Sequence, residues 1–145
     1  MHVVEEAIVI NKPRAEVFAY AADSTHYLDW VTTVIQFEAT PAGPFQAGTT
    51  AKGVNRTAGR NLEWTAKMTE FEDGTVFGLE AVEAALPFSY AYRFEDVAEG
   101  TRVTFRAEVS TLGGLFGKLA EPVVIRMYSH GVKANLANLK TLLEA

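Results

Sequence analysis

The last stretch of the chain, from Leu115 to Ala145, has the residue spacing of one long helix with an unusually wide apolar side. An ordinary surface helix needs an apolar stripe of roughly 100°, and the arc predicted here is about twice as wide. The residues that fall in this arc are Val123, Val124, Ile125, Met127, Tyr128, Gly131, Val132, Ala134, Asn135, Leu136, Asn138, Leu139, Leu142 and Leu143. Such a helix needs a concave partner, and the chain before it is the candidate. Pro122 predicts a kink near Ala120–Pro122, or a helix that begins there.

The chain before this helix changes from helical spacing near its beginning to the alternation that is typical of strands. Val3–Ile10 predicts a first strand, and the residues after it predict two short helices, Arg14–Ala22 and Thr25–Trp30. Six further strands are predicted between Pro-, Gly- or Asp-containing turns. They are Val34–Thr40, Thr49–Arg56, Asn61–Phe71, Thr75–Ala81, Phe88–Asp96 and Arg102–Ser110. Because loops of hairpin length join antiparallel strands, we expect an antiparallel sheet.

Alternation within each strand assigns the side chains that face the interior. The inner residues predicted for the last two strands are Phe88, Tyr90, Tyr92, Phe94, Val103, Phe105, Ala107 and Val109. Those predicted for the third and fourth strands in chain order are Thr49, Ala51, Gly53, Asn55, Leu62, Trp64, Ala66 and Met68. One wall is therefore aromatic and another is small and partly polar. Since protein interiors pack at a density of about 0.75, this unevenness predicts a cavity between the sheet and the long helix.

Two residues of the long helix support the same interpretation. Gly131 lies in the helix interior, where glycine costs roughly 1 kcal/mol relative to alanine, so something must approach closely or space must be left. Asn135 lies in the middle of the apolar arc, and a buried amide without a partner costs about 1–3 kcal/mol. Neighbouring tyrosines, a ligand or ordered water could satisfy it.

The residues predicted to contact a ligand are apolar or aromatic, with a few polar groups among them. They are Trp30, Trp64, Tyr90, Tyr92, Phe105, Val124, Met127, Tyr128, Gly131 and Asn135. Trp30 is expected to close one end of the cavity from the second short helix. The segments Gly43-Pro44 and Ala85-Leu86-Pro87 are candidate entrance loops.

Composition excludes several classes of partner. The net charge is −5 and basic residues are scattered singly, which argues against a nucleic-acid partner. The chain has no cysteine, and no apolar run approaches 18 residues, so neither disulfides nor stable membrane insertion is expected. We expect a cytoplasmic protein that is a monomer or a homodimer.

Catalytic and metal-binding patterns are sparse. The three histidines, His2, His26 and His130, show no HxxxH or HxH spacing, so we expect neither a metal site nor a cofactor. No nucleophile-elbow or P-loop sequence occurs. Paired acidic residues such as Glu80 and Glu83 are expected to face solvent.

Three segments carry a resemblance to a known superfamily. "IVINKPRAEVFAYAADSTHYLDW" (residues 8–30), "GTRVTF" (100–105) and "LANLKTLLEA" (136–145) resemble the START/Bet v 1-like (SRPBCC) superfamily, in particular its bacterial polyketide cyclase/dehydrase-like branch. The resemblance implies an α+β helix-grip fold over residues 1–145 as a single domain. In this fold a seven-stranded antiparallel sheet wraps around a long C-terminal helix, with two short helices after the first strand.

Three functions remain open at this point. The first is a binding protein for a small hydrophobic molecule, such as a lipid or a polyketide-like aromatic compound. The second is a cyclase or dehydratase that acts on an enolisable substrate, with Tyr90, Tyr92 and Asn135 as candidate catalytic residues. The third is a protein-interaction module with a vestigial cavity.

Overall fold

The computed structural model of the protein describes residues 2–57, 59–109 and 121–145. Its helices and strands follow the predicted order. They are β1 (His2–Ile10), α1 (Arg14–Ala21), α2 (Tyr27–Trp30), β2 (Val34–Thr40), β3 (Thr50–Thr57), β4 (Arg60–Glu72), β5 (Val76–Ala84), β6 (Phe88–Val97), β7 (Gly100–Val109) and α3 (Glu121–Glu144). The predicted part of the last helix before Glu121, and the last residue predicted for the seventh strand, lie outside the described residues.

The strands form one antiparallel sheet of seven strands in the order β1-β7-β6-β5-β4-β3-β2. Strands β2 to β7 pair with their neighbours in the chain, as hairpin-length connections require. β1 joins the far side of the sheet by pairing with β7, from His2↔Val109 to Ile10↔Thr101. Because β1 and β2 are at opposite edges, α1 and α2 connect the two edges of the sheet. The predicted helix-grip architecture is confirmed.

Two element boundaries differ from the prediction for identifiable reasons. Helix α2 begins at Tyr27 and not at Thr25, because the Asp23 carboxylate accepts hydrogen bonds from both the backbone N–H and the hydroxyl of Thr25. These bonds hold the segment in a turn. Strand β5 continues to Ala84, beyond its last pairing with β6, because its end still pairs with Trp64 of β4.

The apolar arc predicted for the last helix is too wide. Val123, Met127 and Leu142 are 44%, 48% and 44% exposed, and Ala134 is exposed as well. The buried residues of α3 form a narrower stripe: Val124, Val132, Asn135, Leu136 and Leu139. Helix α3 lies along β1 and against α2, so the protein covers one side of it and leaves the opposite side exposed. The spacing of apolar residues alone did not show where this coverage ends.

The inner faces of the strands are those that alternation predicted. On β7, Val103, Phe105, Ala107 and Val109 are buried, and on β3 the small residues face inward while Lys52 and Arg56 are exposed. Much of the interior is a connected set of aromatic rings, with Phe18 of α1 5.1 Å from Phe94 between ring centroids. This cluster fills the interior near α1, so open space is confined to the other end of the sheet.

Candidate functional site

A cleft lies between the sheet, the segment around α2 and the helix α3. Its volume is about 80 Å³. Its lining residues are Tyr27, Val31, Thr33, Val34, Asn55, Leu62, Glu63, Trp64, Ala84, Ala85, Leu86, Phe88, Tyr90, Tyr92, Phe105, Val109, Tyr128, Val132 and Asn135. The exposed residues Glu63 and Ala85 mark the end at which the cleft meets solvent. We call this end the mouth.

The volume sets a limit on what the cleft holds without rearrangement. An engineered cavity that binds benzene measures about 150 Å³, and drug-sized ligands occupy pockets of roughly 300–1,000 Å³. The cleft has room for several water molecules but not for a polycyclic compound in this conformation. A larger ligand therefore requires side chains at the mouth to move, and Leu86 and Phe88 are only half-buried there.

Four tyrosines from three elements converge on the cleft. The hydroxyl groups of Tyr27 (α2) and Tyr90 (β6) lie 2.8 Å apart and share a hydrogen bond, while Tyr92 and Tyr128 add their rings to the same wall. Burial raises the pKa of all four phenols above 10.0. Ionisation of Tyr128 would also raise the pKa of the other three, so the hydroxyl groups lie close enough to interact electrostatically. All four are neutral hydrogen-bonding groups at physiological pH.

Trp64 on β4 forms a flat wall beside the mouth. Its indole N–H donates to the Asn55 side-chain oxygen at 2.8 Å, and its ring lies over Gly53 of β3. A Cβ at position 53 would lie 2.5 Å from Trp64 Cζ2 and 2.7 Å from the Gln36 carbonyl oxygen. The small inner face predicted for β3 is therefore partly filled by the indole of its neighbour, which reduces the hollow.

Asn135 is satisfied by the protein itself. Its side-chain oxygen accepts hydrogen bonds from the backbone N–H of Thr32 at 3.0 Å and from the Thr32 hydroxyl at 3.2 Å. Its side-chain nitrogen donates to the Thr33 hydroxyl at 3.0 Å. Its protein partners are therefore threonines and not the neighbouring tyrosines that the sequence suggested. Asn135 fastens the segment after α2 to α3 and only borders the cleft.

Six of the ten residues predicted to contact a ligand line the cleft: Trp64, Tyr90, Tyr92, Phe105, Tyr128 and Asn135. The structure places the other four elsewhere. Met127 is on the exposed side of α3, and Val124 is buried outside the lining. Gly131 is covered by Thr33, whose Cγ2 would be 2.7 Å from an added Cβ. Trp30 is fully buried against Tyr92, at 5.2 Å between ring centroids, and packs behind the cleft wall.

Several lining residues were missed by the sequence analysis, Tyr27 above all. Tyr27 and Trp30 lie three residues apart in the same short helix, so both could have been assigned to the interior from spacing. Of the two candidate entrance loops, Ala85 and Leu86 border the cleft. The Gly43-Pro44 segment does not, because it is held against the α1–α2 connection by a bridge between Asp23 and Pro44.

A second, broader groove of about 720 Å³ crosses the outer side of β2 to β5 and shares Glu63, Trp64, Ala84 and Ala85 with the cleft. Exposed charged residues such as Glu38, Lys52 and Glu83 line it. It is larger than the cleft, but it is open to solvent. The cleft has the buried apolar walls and converging polar groups that small-molecule sites share, so it is the better candidate.

The chemistry that the described residues offer in the cleft is limited to hydrogen bonding and apolar contact. Among the described lining residues, Glu63 is the only carboxylate and there is no Lys, Arg or His. His130 is exposed, and His26 stacks on Tyr20 with ring centroids 4.5 Å apart. Within residues 2–57, 59–109 and 121–145, no three His, Asp or Glu side chains gather as a metal site would require. No helix in the described part of the chain is long and apolar enough to cross a membrane.

Comparison with solved structures shows the same fold in proteins of low sequence identity. A protein from Thermus thermophilus (TTHA0849) is 20% identical with a TM-score of 0.82, covering 97% of this chain and 95% of its own. The Zhui aromatase/cyclase from a Streptomyces species is 17% identical with a TM-score of 0.75, covering 99% and 93%. A START superfamily protein from Mycobacterium smegmatis is 9% identical with a TM-score of 0.75, covering 99% and 98%. These identities support a shared fold only.

Family membership comes from the sequence. Among curated proteins, no match of significance was found. A family model described as "Polyketide cyclase / dehydrase and lipid transport" matches residues 1–144, which is nearly the whole chain. Together with the START superfamily neighbour, this match confirms the resemblance drawn from the sequence. The chain belongs to the polyketide cyclase / dehydrase and lipid transport family.

Proposed function

We propose that this protein binds a small hydrophobic molecule in the cleft between the sheet and α3, and that the whole chain acts as one helix-grip domain. The observation that carries the proposal is the composition of the cleft wall. Apolar and aromatic side chains form most of it, and the phenol hydroxyls of Tyr90, Tyr92 and Tyr128 supply a few polar contacts. Such a wall favours an apolar ligand with one or two hydrogen-bonding groups.

The size of the cleft refines the proposal. Because about 80 Å³ is smaller than a benzene-binding cavity, a lipid or polycyclic compound must displace side chains as it enters. Leu86 and Phe88, at the mouth, are the side chains that this proposal requires to move. A cytoplasmic location and a monomeric or homodimeric state remain predictions from the sequence.

A fluorescence titration with N-phenyl-1-naphthylamine, a neutral probe that brightens in apolar sites, tests the proposal. Ala84 lines the cleft, so Ala84→Phe fills its mouth and should weaken binding at least tenfold. Val82 is on the same strand but 65% exposed, so Val82→Phe adds the same ring outside and should bind like the unaltered protein. Saturable binding that Ala84→Phe leaves unchanged would place the site elsewhere, and no binding by the unaltered protein would contradict the proposal.

The tyrosine cluster favours a second candidate, a cyclase or dehydratase activity. Neutral phenols that converge in a desolvated cleft can donate hydrogen bonds to an enolate oxygen as negative charge develops on it. Tyr90, Tyr92 and Tyr128 would serve in this way, whereas both polar atoms of the Asn135 side chain are already engaged with Thr32 and Thr33. Water or a buffer base would take the α-proton, because the described lining residues offer no carboxylate besides Glu63 at the mouth. Exchange of the α-protons of 2-tetralone with deuterated solvent, followed by NMR, would reveal the activity, and Tyr90→Phe should slow it.

The third candidate is a protein-interaction module with a vestigial cavity, which a filled interior and an apolar outer patch would favour. The open cleft beside α3 argues against that interpretation.

A further inference from the structure

We propose that the cleft selects uncharged ligands in which an acceptor oxygen, such as a ketone carbonyl, is attached to a flat ring, and that it rejects carboxylates, free fatty acids included. This inference rests on the proposed binding function and adds the chemical class of the ligand. Three features of the described residues support it: the excess of hydroxyl donors, the charges around the cleft, and the shape of the wall at Trp64.

Hydroxyl protons outnumber the acceptors available to them. The Tyr27 hydroxyl shares a hydrogen bond with the Tyr90 hydroxyl and also interacts with the Tyr92 hydroxyl. Two hydrogen bonds use two of the three hydroxyl protons, so one proton has no acceptor within this group. No hydrogen bond among the described residues involves the Tyr128 hydroxyl, which lines the cleft and is not enclosed as Trp30 Nε1 is, the one buried side-chain nitrogen or oxygen of the described residues without a partner. The Asn135 oxygen, a strong acceptor at the edge of the cleft, is already occupied by Thr32. A ligand that brings an acceptor oxygen satisfies these donors, and a hydrocarbon leaves them unpaired.

The charges around the cleft disfavour an anion. Transfer of a carboxylate into a desolvated site is costly unless a cation or several hydrogen bonds compensate for the lost water. Among the described lining residues no side chain is cationic, and Glu63 presents a carboxylate at the mouth. A carbonyl oxygen receives the same phenol hydrogen bonds without this cost, so the two ligand classes should differ strongly in affinity.

The wall at Trp64 favours a flat ring. The hydrogen bond from the indole N–H to Asn55 and the missing side chain at Gly53 keep the indole close to β3. Phe88 meets Trp64 edge-on, with ring centroids 5.6 Å apart. A planar ring that enters at the mouth can therefore make offset or edge contacts with both side chains, which aromatic pairs prefer.

Three single-ring probes separate these contributions: ethylbenzene, acetophenone and benzoate, titrated calorimetrically at neutral pH. We expect both neutral probes to bind and benzoate to bind at least tenfold more weakly than acetophenone. Tyr128→Phe should weaken acetophenone binding roughly threefold to tenfold, the value of one net hydrogen bond, and leave ethylbenzene unaffected or slightly tighter. Tyr90→Phe should act in the same direction.

The control is Tyr20→Phe, because the Tyr20 hydroxyl bonds to Asp29 outside the cleft and its removal should change neither affinity. The outcomes distinguish the two proposals. If neither neutral probe binds, the binding function itself is contradicted. If both bind but benzoate binds as tightly as acetophenone, or Tyr128→Phe and Tyr90→Phe weaken the two neutral probes equally, the ligand class proposed here is wrong while the binding function stands.

Discussion

Gly131 and Thr33 form a contact between α3 and the segment after α2 that leaves no room for a side chain on the helix. The Cγ2 atom of Thr33 occupies the space that a Cβ of residue 131 would need. Asn135, one helical turn further along, bonds to Thr32 and Thr33. Both unusual residues of the helix therefore belong to one junction, and two of its members, Thr33 and Asn135, also line the cleft.

A double-mutant cycle tests the Gly131 contact. Gly131→Ala alone should be neutral or destabilising, because the clash with Thr33 opposes a helix-propensity gain of about 1 kcal/mol. Thr33→Ser removes the clashing methyl group and keeps the hydroxyl that Asn135 needs. In that background Gly131→Ala should stabilise the protein by about 0.5–1 kcal/mol. Urea unfolding of the four variants measures the coupling, and additive effects would show that the two residues do not interact.

The Asn135 junction gives a second prediction at the same scale. Asn135→Ala removes three hydrogen bonds made by a buried side chain and should lower the free energy of unfolding by about 1–3 kcal/mol. Asn138→Ala is the control, because Asn138 makes a single long bond, 3.3 Å, to the Trp30 carbonyl oxygen. Chemical denaturation should show the larger loss for Asn135→Ala. Equal losses would mean that the three hydrogen bonds of Asn135 contribute no more to stability than the single hydrogen bond of Asn138.

At the scale of elements, the last turn of α3 is attached to the end of β1. The Lys140 ammonium donates to the Val9 carbonyl oxygen at 2.7 Å and to Glu144 at 2.7 Å. The Glu144 carboxylate accepts from the backbone N–H of Asn11 at 2.8 Å. These contacts join a helix and a strand that are far apart in the chain, so they help to hold α3 against the sheet.

This attachment should depend on pH. The hydrogen bond from the Asn11 N–H, and then that from Lys140, lower the pKa of Glu144 below its ordinary value of 4.5. A lowered pKa stabilises the fold above about pH 4.5, and this contribution is lost as the pH falls through the folded-state value. Glu144→Gln should therefore lower the melting temperature at neutral pH, and the difference should shrink in acid.

Glu95→Gln removes the same charge from an exposed position of β6 and is the control for the acid experiment. It should leave the neutral-pH melting temperature close to that of the unaltered protein. If Glu144→Gln lowers the melting temperature by the same amount in acid as at neutral pH, the carboxylate charge is not the cause of the lower stability.

At the scale of the whole molecule, four of the five tyrosine side chains line the same desolvated cleft. Their raised pKa values mean that folding stability is fully present below about pH 10, the ordinary phenol value, and falls as the pH rises above it. Each tyrosine that ionises only in the unfolded state adds about 1.4 kcal/mol per pH unit to this loss.

Alkaline titration should therefore show two phases of tyrosinate absorbance. Tyr20 is half-buried outside the cleft and should ionise separately from the rest, at a pKa raised by partial burial and by Asp29. The four cleft tyrosines should ionise together, in step with the loss of secondary structure measured by circular dichroism. Gradual ionisation of all five in the folded state would contradict the desolvated cluster. Ligand binding should move the cooperative phase to higher pH.

The order of elements and the inner faces of the strands could be predicted because both depend on local patterns. Alternation on β6 placed Tyr90 and Tyr92 inside, and the turn residues marked the hairpins. The width of the buried stripe on α3 could not be predicted, since Val123 and Met127 are apolar but the sheet does not reach them. The partners of Asn135 could not be predicted either, because Thr32 lies more than a hundred residues away in the chain.

The sequence by itself determined the order of the elements, the aromatic character of one wall and the scarcity of ionisable groups in the interior, because periodicity and composition carry these properties. The helix-grip architecture followed from the resemblance to a known superfamily. Only the tertiary structure decided how much space remains. The Trp64 indole covers Gly53, Thr33 covers Gly131, and aromatic rings fill the end of the sheet near α1. Those contacts join residues that are distant in the chain, so the volume and the mouth of the cleft depend on packing that no local pattern encodes.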